Sequence, residues 1–326
     1  DLMQKQHIER KCHIYIPIKY NREDMKINAE TPDEITELLQ KAGYISNIGI
    51  STALLLASKL ARPLLIEGQP GCGKTSLAKA LAEGTNGDLV RLQCYRGLGI
   101  ENTSYEWDHM KQFLRIRIEG ELGEKKSMEN IEKSIFEEEY LLERPVLKAL
   151  RNSDRSILLI DELDRAGEEI EAFLLEVLDE NQLTIPELGT IKSDDPPIII
   201  ITSNRTRKIS DALKRRCLYL YLDPPEMDRE LKIVRMKVPS LDEHITIQIV
   251  EFMQTIRYQE NLMRIPGISE TLDWAMALAE LEVEIITPDV IKRSISTIVK
   301  EPEDLELLKD DVIERILADI NKGLET

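Results

Sequence analysis

The residues with the clearest chemical purpose are Gly68-Gln69-Pro70-Gly71-Cys72-Gly73-Lys74-Thr75, followed by Ser76. They fit the pattern GxxxxGK[ST], whose glycines let the backbone wrap closely and aim N–H groups at a phosphate. In such a loop Lys74 carries a positive charge to the β and γ oxygens of ATP, and Thr75 offers a hydroxyl to Mg²⁺. A second group lies downstream, where Asp161 and Glu162 end the apolar run Ile157-Leu158-Leu159-Ile160. Two adjacent carboxylates at a strand end divide the work: Asp161 holds Mg²⁺, and Glu162 polarises the attacking water as a general base. A third apolar run, Ile198 to Ile201, ends in Thr202-Ser203-Asn204, and Asn204 there orients the water or meets the γ-phosphate. Asp211-Ala212-Leu213-Lys214-Arg215-Arg216-Cys217 follows. On local sequence alone Arg215 and Arg216 read as a solvated face; the other reading is an arginine finger offered to a neighbouring subunit's ATP.

These residues need elements to hold them. Pro63 to Ile66 reads as a strand before the loop and Ser76 to Glu83 as a helix after it, so the positive helix N-terminus faces the phosphates. Further apolar bursts run from Leu89 to Cys94, Ile157 to Ile160, Ile198 to Thr202 and Leu218 to Leu222. Short apolar runs alternating with helices predict an α/β fold with a buried parallel sheet. The site residues would then gather at the carboxyl edge of its strands, where ligands bind. Ile170, Phe173, Leu174, Val177 and Leu178 mark one face of an intervening helix, a spacing that reads as plain core packing. Thr31-Pro32-Asp33-Glu34 reads as a helix start, with Thr31 as the cap. Beyond Asp223-Pro224-Pro225 the strand bursts stop. Thr287-Pro288 opens one helix, and Leu305, Leu308, Val312, Ile316 and Ile320 mark a last one. The expected organisation is a lead segment over 1–30, with an added strand at His13 to Ile18, an α/β domain over 31–223, and a small helical domain over 224–326.

The formal net charge is −17, from 60 acidic and 43 basic residues. Affinity for nucleic acid comes largely from neutralising phosphates, so this balance argues against nucleic acid as the main partner. It argues equally against anionic membranes. The four cysteines, Cys12, Cys72, Cys94 and Cys217, form no CxxC pair, show no zinc spacing and suit a reducing cytoplasm. The longest weakly charged run, Ala42 to Ser58, contains Ser, Asn and Thr and is too short to span a bilayer. A cytoplasmic location without membrane insertion is therefore expected.

The order of these motifs resembles the AAA+ ATPases, and within them the MoxR branch that accompanies von Willebrand factor A proteins. The residues that carry the resemblance begin with Ala42-Gly43-Tyr44-Ile45, Arg91-Leu92-Gln93-Cys94 and Leu142-Glu143-Arg144-Pro145. They continue with Asp161-Glu162-Leu163-Asp164-Arg165-Ala166, Ile185-Pro186-Glu187-Leu188-Gly189, Thr202-Ser203-Asn204-Arg205 and Ile265-Pro266-Gly267-Ile268-Ser269-Glu270-Thr271. The resemblance covers roughly Pro32 to Val299. It implies an αβα core with a helical lid, a hexameric ring with ATP between subunits, Asn204 as first sensor and Arg216, with Arg215 as alternative, as the finger. It also implies a hairpin over Gln182 to Ile191, an insertion with pore-facing elements over Gly99 to Glu138, and Tyr44 and Ile45 beside the adenine. One departure is Glu270, which stands in an early turn of the lid helix where many relatives place an arginine on the γ-phosphate; no second sensor is assigned.

Three readings follow. The first is Mg²⁺-dependent ATP hydrolysis by a ring that remodels a client protein with a von Willebrand factor A partner, in metal-cofactor maturation. The second is a nucleic-acid motor or loader, and the third a nucleotide-gated scaffold with little turnover. Net acidity speaks against the second; Glu162 and Arg216 speak against the third. Cys72 inside the loop would also make nucleotide binding sensitive to oxidation.

Overall fold

A computed structural model of the chain describes residues 27–121, 134–152, 156–193, 195–259 and 262–324. The strand expected at His13 to Ile18 lies outside them. Among the described residues there are nine strands: β1 (Leu64–Gly68), β2 (Asp88–Gln93), β3 (Tyr105–Trp107), β4 (Leu141–Glu143), β5 (Ser156–Asp161), β6 (Gln182–Ile185), β7 (Gly189–Lys192), β8 (Ile198–Ser203) and β9 (Leu218–Leu222). Five of them form one sheet in the order β2-β5-β8-β1-β9, and every pairing in it is parallel.

The central strands β1, β5 and β8 are buried on both sides because both sides are covered, whereas the edge strands β2 and β9 are partly exposed. Successive residues of a strand point to opposite faces. Leu64 and Ile66 of β1, Ile157 and Leu159 of β5, and Ile198 and Ile200 of β8 pack on one face, against the helices Pro32–Lys41, Ile48–Lys59 and Lys74–Thr85. Leu65, Leu158, Ile160, Ile199 and Ile201 fill the other, against the helices Pro145–Arg151 and Glu168–Glu180. Ile170, Leu174, Val177 and Leu178 of the latter helix are buried, as their spacing predicts.

Sheet order decides what can meet. β8 lies between β1 and β5, so the ends of the strands bearing Gly68, Asp161 and Asn204 are neighbours although far apart in sequence. Leu64 pairs with Leu218 and Gly68 with Leu222, so the start of β9 sits at the amino edge and the phosphate loop at the carboxyl edge.

After β9 the described chain is helical, from Met227 to Leu324. A separate core forms there from residues such as Val234, Ile249, Phe252, Trp274, Ile291 and Ile316. Thr31 and Thr287 cap their helices by accepting from the amides of Glu34 and Val290, each with proline in the first turn. The last helix differs from expectation. It is two, Pro302–Leu307 and Asp310–Leu324. Asp304 is buried and accepts from the amides of Met263 at 2.7 Å and Arg264 at 3.1 Å, which rolls the short helix so that Leu305 faces solvent.

The expected hairpin is β6-β7, closed at Ile185 and Gly189. The inserted stretch contains the helix Ile100–Thr103, β3, which pairs antiparallel with β4, and the helix His109–Glu121, whose Met110, Phe113 and Leu114 are exposed. No described helix is long and apolar enough to cross a membrane.

Candidate active site

Gly73, at φ 93°, turns the phosphate loop into the helix Lys74–Thr85, a left-handed conformation that suits glycine. Lys74 is buried, and its ammonium donates to the carbonyl oxygens of Gly68 at 2.8 Å and Gln69 at 2.7 Å. Burial pushes the Cys72 thiol up in spite of the Lys74 ammonium 3.6 Å away. A protonated, buried thiol is a poor nucleophile, which speaks against the expected oxidation sensitivity.

Thr75 Oγ1 donates to Asp161 Oδ1 at 3.0 Å, so the two expected metal ligands, one in the helix after β1 and one at the end of β5, already face each other. Asp161 is 1% exposed and also accepts from Thr202 Oγ1 at 2.6 Å and from Arg91 at 2.5 Å. A hydroxyl and a carboxylate at this spacing fit Mg²⁺, which takes few protein ligands and completes its shell with phosphate and water. Among the described residues no group of three or more His, Cys, Asp or Glu side chains forms a metal cage, so Mg²⁺ would need the phosphates.

Glu162 has left-handed backbone, φ 57° and ψ 48°, an uncommon conformation for a side chain of its size. The kink turns its carboxylate away from the sheet. Asn204 Nδ2 donates to Oε1 at 3.2 Å, Gln93 Nε2 to Oε2 at 3.0 Å, and Arg165 pairs with Oε2 at 3.2 Å. Asn204 is itself placed by Asp164, which accepts from the amides of Asn204 at 3.0 Å and Thr206 at 2.9 Å and from the Thr206 hydroxyl at 2.5 Å. Burial would raise the Asp164 pKa, but these hydrogen bonds outweigh it and hold the carboxyl below its usual range. Burial and the nearby carboxylates push Cys94 up to about 12.

A cleft of about 260 Å³ opens beside the loop, lined among others by Tyr44, Ile45, Cys72, Gly73, Ser76 and Ile268. Arg229 of the helix Met227–Lys237 donates to the Ile45 carbonyl at 3.0 Å and lies 5.9 Å from the Tyr44 ring centre. Burial raises the Tyr44 pKa, with Arg229 opposing it.

The helix Ile268–Glu280 descends directly onto the loop. Ser269 N donates to Gly71 O at 3.2 Å, and a Cβ at Gly267 would sit 3.0 Å from Gly71 C and O and 3.1 Å from Pro70 O. Glu270 is buried and faces its own helix start: it accepts from Gly267 N at 2.9 Å and lies 3.5 Å from Arg264. It works as a cap rather than as a bare carboxylate beside phosphate.

Lys74, Thr75, Asp161, Glu162 and Asn204 therefore converge. Gly68, Pro70, Gly71, Cys72, Gly73, Ser76, Tyr44 and Ile45 border them. Arg215 and Arg216 do not join. They end the helix Asp211–Arg216 at the amino edge of the sheet, where Arg216 pairs with Asp179 and the carbonyls of Arg215 and Arg216 accept from Arg62. Sequence reasoning assigned no role to Arg91, Gln93 or Arg229. For the first two the available signal was two polar residues at spacing two in an otherwise apolar strand.

Residues 63–217 match the family model of the AAA domain, dynein-related subfamily. That stretch runs from the residue before β1 to the residue before β9 and holds every converging residue. Uncharacterised proteins of Staphylococcus haemolyticus and Staphylococcus aureus are similar, at 28% and 27% identity over 252 residues, 75% of this chain and 86% of theirs. A Thermotoga maritima RuvB mutant has a similar structure, with 18% identity, TM-score 0.45, and 88% of this chain and 76% of that one covered. The architecture is a five-stranded parallel sheet with flanking helices, followed by a helical region, and the stretch that matches the AAA model lies in the α/β part.

Proposed function

We propose that the protein is a Mg²⁺-dependent ATPase that works as a ring, probes a client protein with its inserts, and acts with a von Willebrand factor A partner. The observation that supports hydrolysis most directly is the pair of carboxylates, Asp161 against Thr75 and Glu162 bracketed by Asn204 and Gln93. In this reading the loop amides and Lys74 bind the phosphates, and the cleft at Tyr44 and Ile45 takes the adenine. Thr75 and Asp161 hold Mg²⁺, which neutralises charge developing on the phosphates. Glu162 accepts a proton from the attacking water, and Asn204 keeps both in line. Ser269 and Gly267, packed on Gly71, pass movement of the loop to residues 224–326, which act as the lid.

The ring is supported by what the site lacks in cis. Arg215 and Arg216 lie at the far edge of the sheet from their own phosphate loop, so an arginine finger at either position would have to reach a neighbour's ATP. The test is ATP hydrolysis per subunit against protein concentration, for wild type and Arg216→Ala. A shared site gives specific activity that rises with concentration and a slow, flat mutant. Activity independent of concentration, with Arg216→Ala and Arg215→Ala both unchanged, would sink the ring.

A further inference from the structure

The carboxylate meant for Mg²⁺ already has a cation. Asp161 Oδ2 receives Nε of Arg91 at 3.0 Å and its terminal nitrogen at 2.5 Å, while Oδ1 receives Thr202 and Thr75. The Asp161 side chain is 2% exposed, whereas that of Arg91 is 44% exposed, so the guanidinium has solvent on one side. The two lie on adjacent strands, β2 and β5, with Gln93 opposite Asp161 in register. Arg91 also donates to Gln93 Oε1, and Gln93 Nε2 donates to Glu162. One chain of contacts thus joins both catalytic carboxylates through β2.

A buried carboxylate needs a partner charge, and Arg91 supplies it. A guanidinium and a divalent cation on one carboxylate repel strongly in a poorly solvated site. We propose that Arg91 is a resident counter-ion for Asp161 that Mg²⁺ must displace, so that Arg91 sets the Mg²⁺ level at which nucleotide binds tightly. The inference rests on the ATP reading above. Arg91 acts through Asp161 and is a positioning residue. The triphosphate would give the displaced guanidinium its next anionic partner, while Gln93 keeps its own contact to Glu162.

The test is equilibrium binding of a fluorescent, non-hydrolysable ATP analogue, titrated with Mg²⁺ and compared with excess EDTA. It is run on wild type, Arg91→Gln and Arg91→Lys, each checked for an unchanged thermal melt. Arg91→Gln is expected to lower the half-saturating Mg²⁺ by about tenfold, the direction that removal of a competing cation dictates. It should also weaken binding in EDTA. Arg91→Lys keeps the charge and stays near wild type. Damage to the site would raise the Mg²⁺ requirement, so a raised or unchanged half-saturation in Arg91→Gln overturns the inference while leaving the ATP reading standing. Binding that does not respond to Mg²⁺ overturns the inference alone, and no binding of the analogue to wild type at any Mg²⁺ level overturns both.

Discussion

Asn204 Nδ2 lies 3.2 Å from Glu162 Oε1, and the two residues come from the ends of different strands, β8 and β5. The contact exists because β8 is inserted between β1 and β5, and because the left-handed turn at Glu162 lifts its carboxylate into reach. Such strain persists where the surroundings over-determine it and is often part of the mechanism. Glu162→Gln keeps the shape and the Asn204 contact but removes the base. Turnover should fall by about 10²–10⁴-fold with ATP affinity retained. Normal hydrolysis by this variant, measured as phosphate release, would disprove the assignment.

The brackets on Glu162 separate by their effects. Asn204→Ala removes the donor to Oε1 and, on the proposed mechanism, the group that orients the water, so kcat should fall by roughly 10²-fold with KM little changed. Gln93→Leu removes only the restraint on Oε2, which Arg165 still contacts, so the loss should be smaller. Steady-state kinetics of the two variants side by side decide this; a larger defect in Gln93→Leu than in Asn204→Ala would reverse the roles.

Asp164 links acid stability to the site. Its folded-state pKa is depressed, so the stabilisation is present above the ordinary aspartate range and is lost as pH falls through the folded value. Below about pH 4 the wild type should lose stability that Asp164→Asn lacks at every pH. Melting curves from pH 7 down to 3 check it: the gap between the two proteins should close as pH falls, and a gap constant with pH would show that the charge is not what matters. At neutral pH, Asp164→Ala leaves two amides and a hydroxyl without their acceptor; Thr206 is exposed and Asn204 half-buried, so water replaces part of it and the loss should be about 1 kcal/mol in all. Turnover should drop as well, since Asn204 loses its anchor.

Much of this was legible in the sequence, for physical reasons. The phosphate loop is read locally, because glycine spacing and Lys74 fix its chemistry within eight residues. The five core strands were legible because a sheet covered on both faces needs continuous apolar runs. Asp161, Glu162 and Asn204 were found because each ends such a run. Arg91 and Gln93 were not, since their meaning depends on β2 lying beside β5, and strand order is not written in any one segment. The break at Leu308 was missed because the apolar spacing continues across it; Asp304 reaches a loop some forty residues away, as the contacts to Met263 and Arg264 show. Glu270 looked like a departure because sequence position cannot tell a carboxylate facing phosphate from one that caps its own helix.

The lid has a polar keystone. Arg257 pairs with Glu230 at 2.5 and 2.6 Å with both side chains buried, and also reaches the carbonyls of Pro266 and Gly267 and the hydroxyl of Thr271. Breaking a buried pair by removing one partner costs about 3–5 kcal/mol. Glu230→Ala should therefore lower the melting temperature strongly and unsettle the Pro266–Gly267 turn above the phosphate loop. Differential scanning calorimetry measures the first effect and nucleotide affinity the second. A loss below about 1 kcal/mol would mean that water replaces the carboxylate and the pair is not structural.

Gly267 tests whether the lid reads the phosphate loop by direct contact. Its backbone, φ −88° and ψ −170°, is open to any residue, so alanine there brings no conformational strain of its own. The added Cβ would meet main chain rather than a flexible side chain: Gly71 C and O at 3.0 Å and Pro70 O at 3.1 Å. Neither wall yields easily, because Gly71 at φ 78° is held in its turn and the helix Ile268–Glu280 is anchored in the lid core. The helix must lift by a few tenths of an ångström. Gly267→Ala should therefore leave the melting temperature almost unchanged but weaken nucleotide binding by about tenfold, with a smaller fall in kcat. Gly71→Ala supplies the contrast, because it adds left-handed strain of about 1–2 kcal/mol and should lose stability as well. If Gly267→Ala binds nucleotide as tightly as wild type, the lid does not couple to the loop through this contact, and Arg229 on Ile45 becomes the remaining bridge between lid and nucleotide cleft.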